Sequence, residues 1–436
     1  MAQYTWLTYG AAKSQLAARL ADPNFQFWTA AECGLYIIES LRVWNAFTEV
    51  WNTEFSFTAV PESTWYDLSA LNGSPRLRSL KDSDLYTMMQ YHLLEPPTGG
   101  GTWAGTSQFS LADLQQSLQR RRDEMIQITG CNIAQLDKFD LVGGNYRAYL
   151  PDNVLEPRRI RFLPSFPYGN PITLAREDRY AFDVFEPAHM QSPGLPSSWG
   201  IVAGPPLAFD LDVVPNIPGQ FDVIAIRTGT TFAPPTQSLM NVPDDWAWVC
   251  KWGAMADLLS RESEATDRVR AQFCLQRYQD GLKVMLGSNW LVQGEIDGVP
   301  VDTPSLAEMD TFSTDWEFLE SWSFVVVAGM DLVAACPVAQ EGQNRGVTVN
   351  LVGNAPVPAV DGDYVQVARD VWEAVLAYAQ ALAMFKQGGQ EFLDSQQMLA
   401  EFALAATAQN KRLLNMGIFT DVLKAQSQRE DAAQPR

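Results

Sequence analysis

The residues best suited to metal or nucleophilic chemistry are two histidines, His92 and His189, and five cysteines, Cys33, Cys131, Cys250, Cys274 and Cys336. Their spacing argues against both chemistries. A zinc site needs four nitrogen or sulfur ligands in closely spaced pairs. Here there is no Cys-x-x-Cys, and neither histidine stands at ligand spacing from a cysteine or carboxylate. A histidine-based triad would have to be gathered from distant segments. The Gly-x-Ser-x-Gly elbow and the dinucleotide fingerprint are both absent. Thr98-Gly99-Gly100-Gly101 lacks the following Gly-Lys-Ser/Thr and the helix start that would aim backbone donors at a phosphate. It reads instead as a mobile loop at a subunit contact.

Two acidic pairs remain. Asp210 and Asp212 share a face if they lie on a strand, so a cation between them is geometrically allowed, whereas Asp361-Gly362-Asp363 has no calcium-loop spacing after it and reads as a turn. The densest basic patches are Arg120-Arg121-Arg122 and Arg158-Arg159 with Arg161. Successive helical residues point in different directions, so the triplet spreads around a helix, with a solvated face favoured over acidic residues of a neighbour or DNA. No catalytic, cofactor-binding or metal-ligating residue is assigned, and no cofactor and no enzymatic activity are expected.

The whole chain supports a non-catalytic reading. It has 436 residues, with 31 Lys and Arg against 51 Asp and Glu, a net charge of −20. That balance opposes a protein that grips nucleic-acid phosphates, which needs a concentrated positive footprint. It is compatible with a channel wall along which DNA slides. Apolar residues make up 47% and charged ones 19%, enough for a sizeable core. No uncharged apolar run approaches the ~18 residues of a membrane span. The start has no basic region followed by an apolar one, so no secretory signal is expected. The widely spaced cysteines read as reduced, mostly buried thiols of a protein made in a cytoplasm. Fourteen Trp, 22 Phe and 13 Tyr suit large interfaces as well as cores.

Elements must hold these residues in place. A helix is expected over 11–22, and another from Thr29, whose Thr-x-x-Glu32 forms a capping box, with Ile37, Leu41, Trp44 and Trp51 on one stripe. Residues 53–69 read as a hairpin, with Pro61-Glu62-Ser63 as its turn. Asp82 caps a helix over 83–94, and Ser110 caps a long one ending at Gly130. Short strands follow at Tyr146–Leu150, Arg158–Leu163, Trp199–Val202, Leu207–Val213 and Phe221–Ile226, with a short helix over 175–185. Helices over 244–260 and 266–286 come next.

The pattern then recurs. Asp244, Trp246, Val249, Trp252, Gly253, Leu258 and Leu259 correspond to Asp370, Trp372, Val375, Tyr378, Ala379, Met384 and Phe385, 126 residues on. Upstream, Ser198-Trp199, Pro215 and Val223–Ile226 correspond to Ser321-Trp322, Pro337 and Val347–Asn350 with a drifting offset. This predicts an internal duplication of strands followed by a helical hairpin. The expected class is α+β: an N-terminal helical bundle with a hairpin over 1–132, two related units over 133–290 and 291–425, and a disordered tail over 426–436.

Certain stretches resemble tailed-phage head–tail connector or adaptor proteins. Phe27-Trp28-Thr29-Ala30-Ala31-Glu32 through Glu39-Ser40-Leu41-Arg42-Val43-Trp44-Asn45-Ala46-Phe47-Thr48 is similar to their opening helices. Phe55-Ser56-Phe57 through Trp65-Tyr66-Asp67-Leu68 follows as their strand, turn and Tyr-x-Leu strand do. Pro151 to Arg159, Leu207 to Leu259, and Val365 to Gly389 extend the resemblance. It implies a ring, usually of twelve copies, docked on the portal with the genome passing through its axis, located in the virion neck. The tail over 426–436 would reach the portal. A tail-tube or nozzle component, and a tail-associated glycan-binding or hydrolytic protein, are the alternatives.

Overall fold

The computed structural model describes residues 4–61, 63–94, 109–140, 144–165, 171–185, 188, 190–232, 237–261, 266–288, 291–313, 315–318, 322–338 and 345–415. Ten helices occur among them: α1 (Tyr9–Arg19), α2 (Ala30–Thr48), α3 (Asp82–His92), α4 (Leu111–Thr129), α5 (Arg179–Phe185), α6 (Ala247–Ser260), α7 (Arg268–Gly287), α8 (Leu306–Phe312), α9 (Arg369–Gln387) and α10 (Gly389–Asn415). Together with several antiparallel sheets they make the fold α+β. No helix among the described residues is long and apolar enough to cross a membrane.

All helices except the short α5 and α8 share one apolar core, in which Leu16, Ile37, Met89, Leu118, Val249, Tyr278, Tyr378 and Phe402 are buried. Two β-sandwiches flank it. In the first, strands Ile133–Gln135, Gly219–Arg227, Val154–Pro164 and Ile172–Thr173 form one sheet, and Arg147–Tyr149, Ala208–Leu211, Ser198–Val202 and Ala175–Glu177 the other. Phe162, Trp199, Phe209 and Phe221 fill the space between. In the second, Asn52–Ala59, Arg345–Val352, Leu291–Ile296 and Val299–Val301 lie in one sheet, and Trp65–Asp67, Leu332–Cys336 and Phe324–Val327 in the other. Its core is built on Phe55, Val333, Val347, Val349 and Leu351.

The expected hairpin over 53–69 does not form. Both strands exist, but Asn52–Ala59 pairs with Arg345–Val352, and Trp65–Asp67 with Leu332–Cys336, in the opposite sheet. Alternation announces a half-buried strand without naming its partner. The corner is pinned by the Tyr66 hydroxyl, which accepts from Val60 N at 3.0 Å and donates to Ser63 O at 2.9 Å. Asp82 is also not a cap: it is the first residue of α3, following Lys81.

The order of elements does recur, over bounds other than the expected 133–290 and 291–425. Helices α2 and α4 are both 19 residues, lie 81 apart at each end (30 to 111, 48 to 129), are capped by Thr29 and Ser110, and end at left-handed residues, Glu49 (φ 51°) and Gly130 (φ 65°). Helices α1 and α3 are both 11 residues. Each is preceded by an isolated bridge to the same place in the later chain, Thr8 to Tyr364 and Lys81 to Leu239. Strands follow in the same order, and α6 packs on α7 and α4 as α9 packs on α10 and α2. The strand register makes the offset firm. The pairing of each central strand with its neighbour shifts register after Ile224 in one and after Asn350 in the other, 126 apart, the extra residue lying in the neighbouring strand. This places Phe221, Val223 and Ala225 opposite Val347, Val349 and Leu351, all facing their sandwich cores. Trp199 therefore corresponds to buried Val325, not to Trp322, which is 56% exposed ahead of its strand.

The two copies are nested. One, the inserted unit, runs continuously from α3 through α7. The other, the outer unit, begins with α1, α2 and the strands Asn52–Ala59 and Trp65–Asp67, and resumes with Leu291–Ile296 through α10.

Candidate functional site

Of the polar and charged side chains singled out in the sequence, His92, Arg159 and Arg161 lie at the seam between these units. Helix α2 of the outer unit packs on α3, α7 and the turn Asp244–Trp246 of the inserted unit, and α9 packs on α3. His92 closes α3 within this seam, fully buried, with Tyr36, Trp252 and Phe385 rings 5.3, 5.5 and 5.5 Å away. Its Nε2 is 3.1 Å from Lys251 Nζ on α6, which pairs with Glu39 of α2. Beside it, within the outer unit, Lys386 of α9 pairs with Glu32 of α2 at 3.0 Å, and Tyr36 donates to that glutamate at 2.6 Å. Burial, reinforced by Lys251, Lys386 and Arg270, holds the His92 pKa well below its ordinary value. It is a neutral imidazole, fully buried among the described residues. Burial likewise lowers the Lys251 pKa.

Nearby, Asn45 of α2 donates to Asp245 at 2.6 Å, and that carboxylate also accepts from Ala355 N at 2.8 Å. Burial raises the Asp245 pKa to about 6.

The basic patches close the seam between the sandwiches. Arg159 and Arg161 project from the inserted unit onto Glu317 of the outer unit, Arg159 also onto Asp310, and Arg161 onto Asp222 within its own sheet. Apolar contact surrounds them, with Ile133 and Ile224 against Leu306, Met309, Trp316 and Phe324. The connector between the units contributes Arg76 and Arg78, both paired with the buried Asp331. Arg158 stays at the surface, 3.3 Å from Glu156. In the triplet, the expected solvated face holds for Arg120 alone, which is 67% exposed. Arg121 forks onto Asp257. Arg122 is fully buried, donating to Thr230 O at 2.7 Å over the Phe232 ring.

The acidic pairs divide. Asp210 is neutralised by Arg147 at 2.6 Å, while Asp212 accepts from Ser197, so they share no cation. Asp363 accepts from Ala359 N and Val360 N, which makes the segment a turn. No group of three or more metal-ligating side chains occurs among the described residues. All five cysteines are buried and unpaired, and burial pushes the Cys33 thiol up to about 12 and Cys131 to about 11, so neither is a ready nucleophile. His189, the segment 98–105 and the tail 426–436 lie outside the described residues.

The seam was missed in the sequence because the ion-pair partners in its two units are 151 to 212 residues apart. A usable signal was the apolar helix residues around isolated charges, Glu39 and Lys251, which cannot be buried unpaired.

This architecture carries a family likeness. The model of the SU10 adaptor protein family matches residues 93–296, from the end of α3 to the strand Leu291–Ile296, and so covers nearly the whole inserted unit. The resemblance to head–tail adaptors is borne out. The chain matches none of the curated proteins.

Proposed function

We propose that this phage adaptor protein is a structural ring-forming spacer of the virion neck, seated between the portal and the tail, through which double-stranded DNA passes during packaging and ejection. The family match over residues 93–296 is the observation that carries the reading. Three physical features support it. Among the described residues, Arg121, Arg159, Arg161, Asp210 and Lys251 are held in internal ion pairs, as suits a structural part. The two units are clamped by buried ion pairs and apolar contact, which gives a stiff body. The net charge of −20 suits a wall that DNA slides past rather than grips.

In this role the helices carry load between neighbours, and the connecting loops meet the portal above and a tail-tube or nozzle protein below. The protein would be made in the host cytoplasm. The likeness implies a ring, usually of twelve copies of an adaptor, and this chain carries two adaptor-like units.

The test is the native mass of the purified protein, alone and mixed with portal protein, with negative-stain images of each. Rings, whether free or only on the portal, are the expected result. A strict monomer that ignores the portal overturns the reading.

A further inference from the structure

The contact between the two units has a direction. The inserted unit uses α3, α7 and the turn Asp244–Trp246, and the outer unit uses α2 and α9. By the internal equivalence, a two-fold relation would also pack α1 and α10 against α4 and α6, and these make no comparable contact. The seam is therefore heterologous: two different faces of the same architecture meet. Heterologous contacts leave one copy of each face unused and, repeated, close rings or run on as filaments.

Both unused faces are open. On the inserted unit the free face is α4, the equivalent of α2. Leu35, Glu39 and Ala46 of α2 are covered wholly or partly, while their equivalents 81 residues on, Gln116, Arg120 and Gln127, are exposed. On the outer unit the free face is α10, the equivalent of α7. It exposes Glu391, Asp394 and Glu401. Arg120, exposed though 3.9 Å from Asp257 of its own unit, thus lies on one face, and the other is a helix that exposes Glu391, Asp394 and Glu401 along with Leu393 and Leu404.

We infer that copies of this chain join through the contact that each already contains, α4 of one receiving α10 of the next. Inserted and outer units then alternate around the ring, and a ring has twice as many adaptor units as chains. Twelve units are six chains. This rests on the ring reading proposed above and specifies which faces close it.

The two faces differ from the internal seam in one respect. Ile133 and Ile224, apolar in the seam, have Asn52 and Asn350 as their equivalents on the free side of the outer unit, and Glu39 and Ala46 are matched by Arg120 and Gln127. A polar contact is weak for a lone pair of copies and is completed on a template that brings them together.

The experiment uses the full chain with Arg120→Cys and, on the exposed side of α10 between Asp394 and Glu401, Gln397→Cys, singly and together. Since the native cysteines are buried, a short bismaleimide reports only the introduced pair. The variants are assembled on purified portal, imaged, and run denatured. The double variant is expected to give a ladder of linked chains ending at six, and each single variant none. Cross-linking of either single variant to itself means a two-fold contact and overturns the inference. So does a ring whose double variant gives no ladder, or a ring of twelve chains. Absence of any ring on the portal overturns the ring reading itself, and the contact with it.

Discussion

Lys251 enters the seam from α6 and is wholly buried beside Glu39. Neither charge would survive there alone, because an uncompensated buried ion pays most of its desolvation cost. Lys251→Ala is expected to destabilise the protein by about 3–5 kcal/mol in urea unfolding. Glu39→Leu with Lys251→Met, which removes both charges at similar volume, should recover most of that loss. A double variant as unstable as the single one would show that packing, not charge, is at stake. His92 gives the same seam a pH signature. Its folded pKa is depressed, so below pH ~6.5 the unfolded chain takes up a proton that the folded one refuses, and stability falls as the pH drops. Asp245 acts oppositely. Its carboxyl is raised to about 6, so its contribution is full at low pH and is lost as pH rises through about 6. Comparing Tm from pH 7 to 5 in the wild type and His92→Gln separates the two, and the variant should show the shallower fall on acidification. Equal slopes would mean that His92 does not titrate between the folded and unfolded states.

At the scale of elements, local chemistry was readable where it is local. Thr29 and Ser110 were visible as caps, and both accept from the third helical residue, at 3.2 and 3.1 Å. Gly130 was visible as a stop, and its left-handed φ of 65° explains why. Gly130→Ala is expected to cost about 1 kcal/mol by thermal unfolding, since a Cβ is disfavoured there. The equivalent Glu49, already left-handed at φ 51°, should tolerate Ala without comparable loss. Pairing was not readable, because hydrogen bonds between Asn52–Ala59 and Arg345–Val352 join residues almost 300 positions apart. One signal lay unused. Asp297-Gly298, both with positive φ, is a two-residue turn between Leu291–Ile296 and Val299–Val301, and Asp-Gly between apolar runs announces a hairpin. The duplication was readable in α6 and α9, where apolar positions repeat every three or four residues, but not in α2 and α4. Trp44 faces Met125 there, and Leu41 faces buried Arg122, so equal geometry is reached with unlike side chains.

For the whole molecule, nesting explains why a linear reading could find the repeat but not its extent: the outer unit is interrupted by the inserted one after Trp65–Asp67. It also separates two contacts of the same shape by their physics. The internal seam holds buried charges, with Glu317 and Asp331 buried against arginines and Trp316 fully enclosed. The contact proposed between chains sets Arg120, exposed to solvent, near acidic residues of α10. Exposed charges farther apart than ~8 Å are largely screened at physiological ionic strength, and buried pairs much less. Raising salt from 0.05 to about 1 M, where the screening length falls to about 3 Å, should therefore release chains from a portal-free or portal-bound ring while leaving the helical signal of each chain unchanged. Sedimentation would report the first and far-ultraviolet circular dichroism the second. Rings that persist in high salt would mean that apolar groups on these helices, Ile128 of α4 and Leu393 and Leu404 of α10, hold the chains together instead.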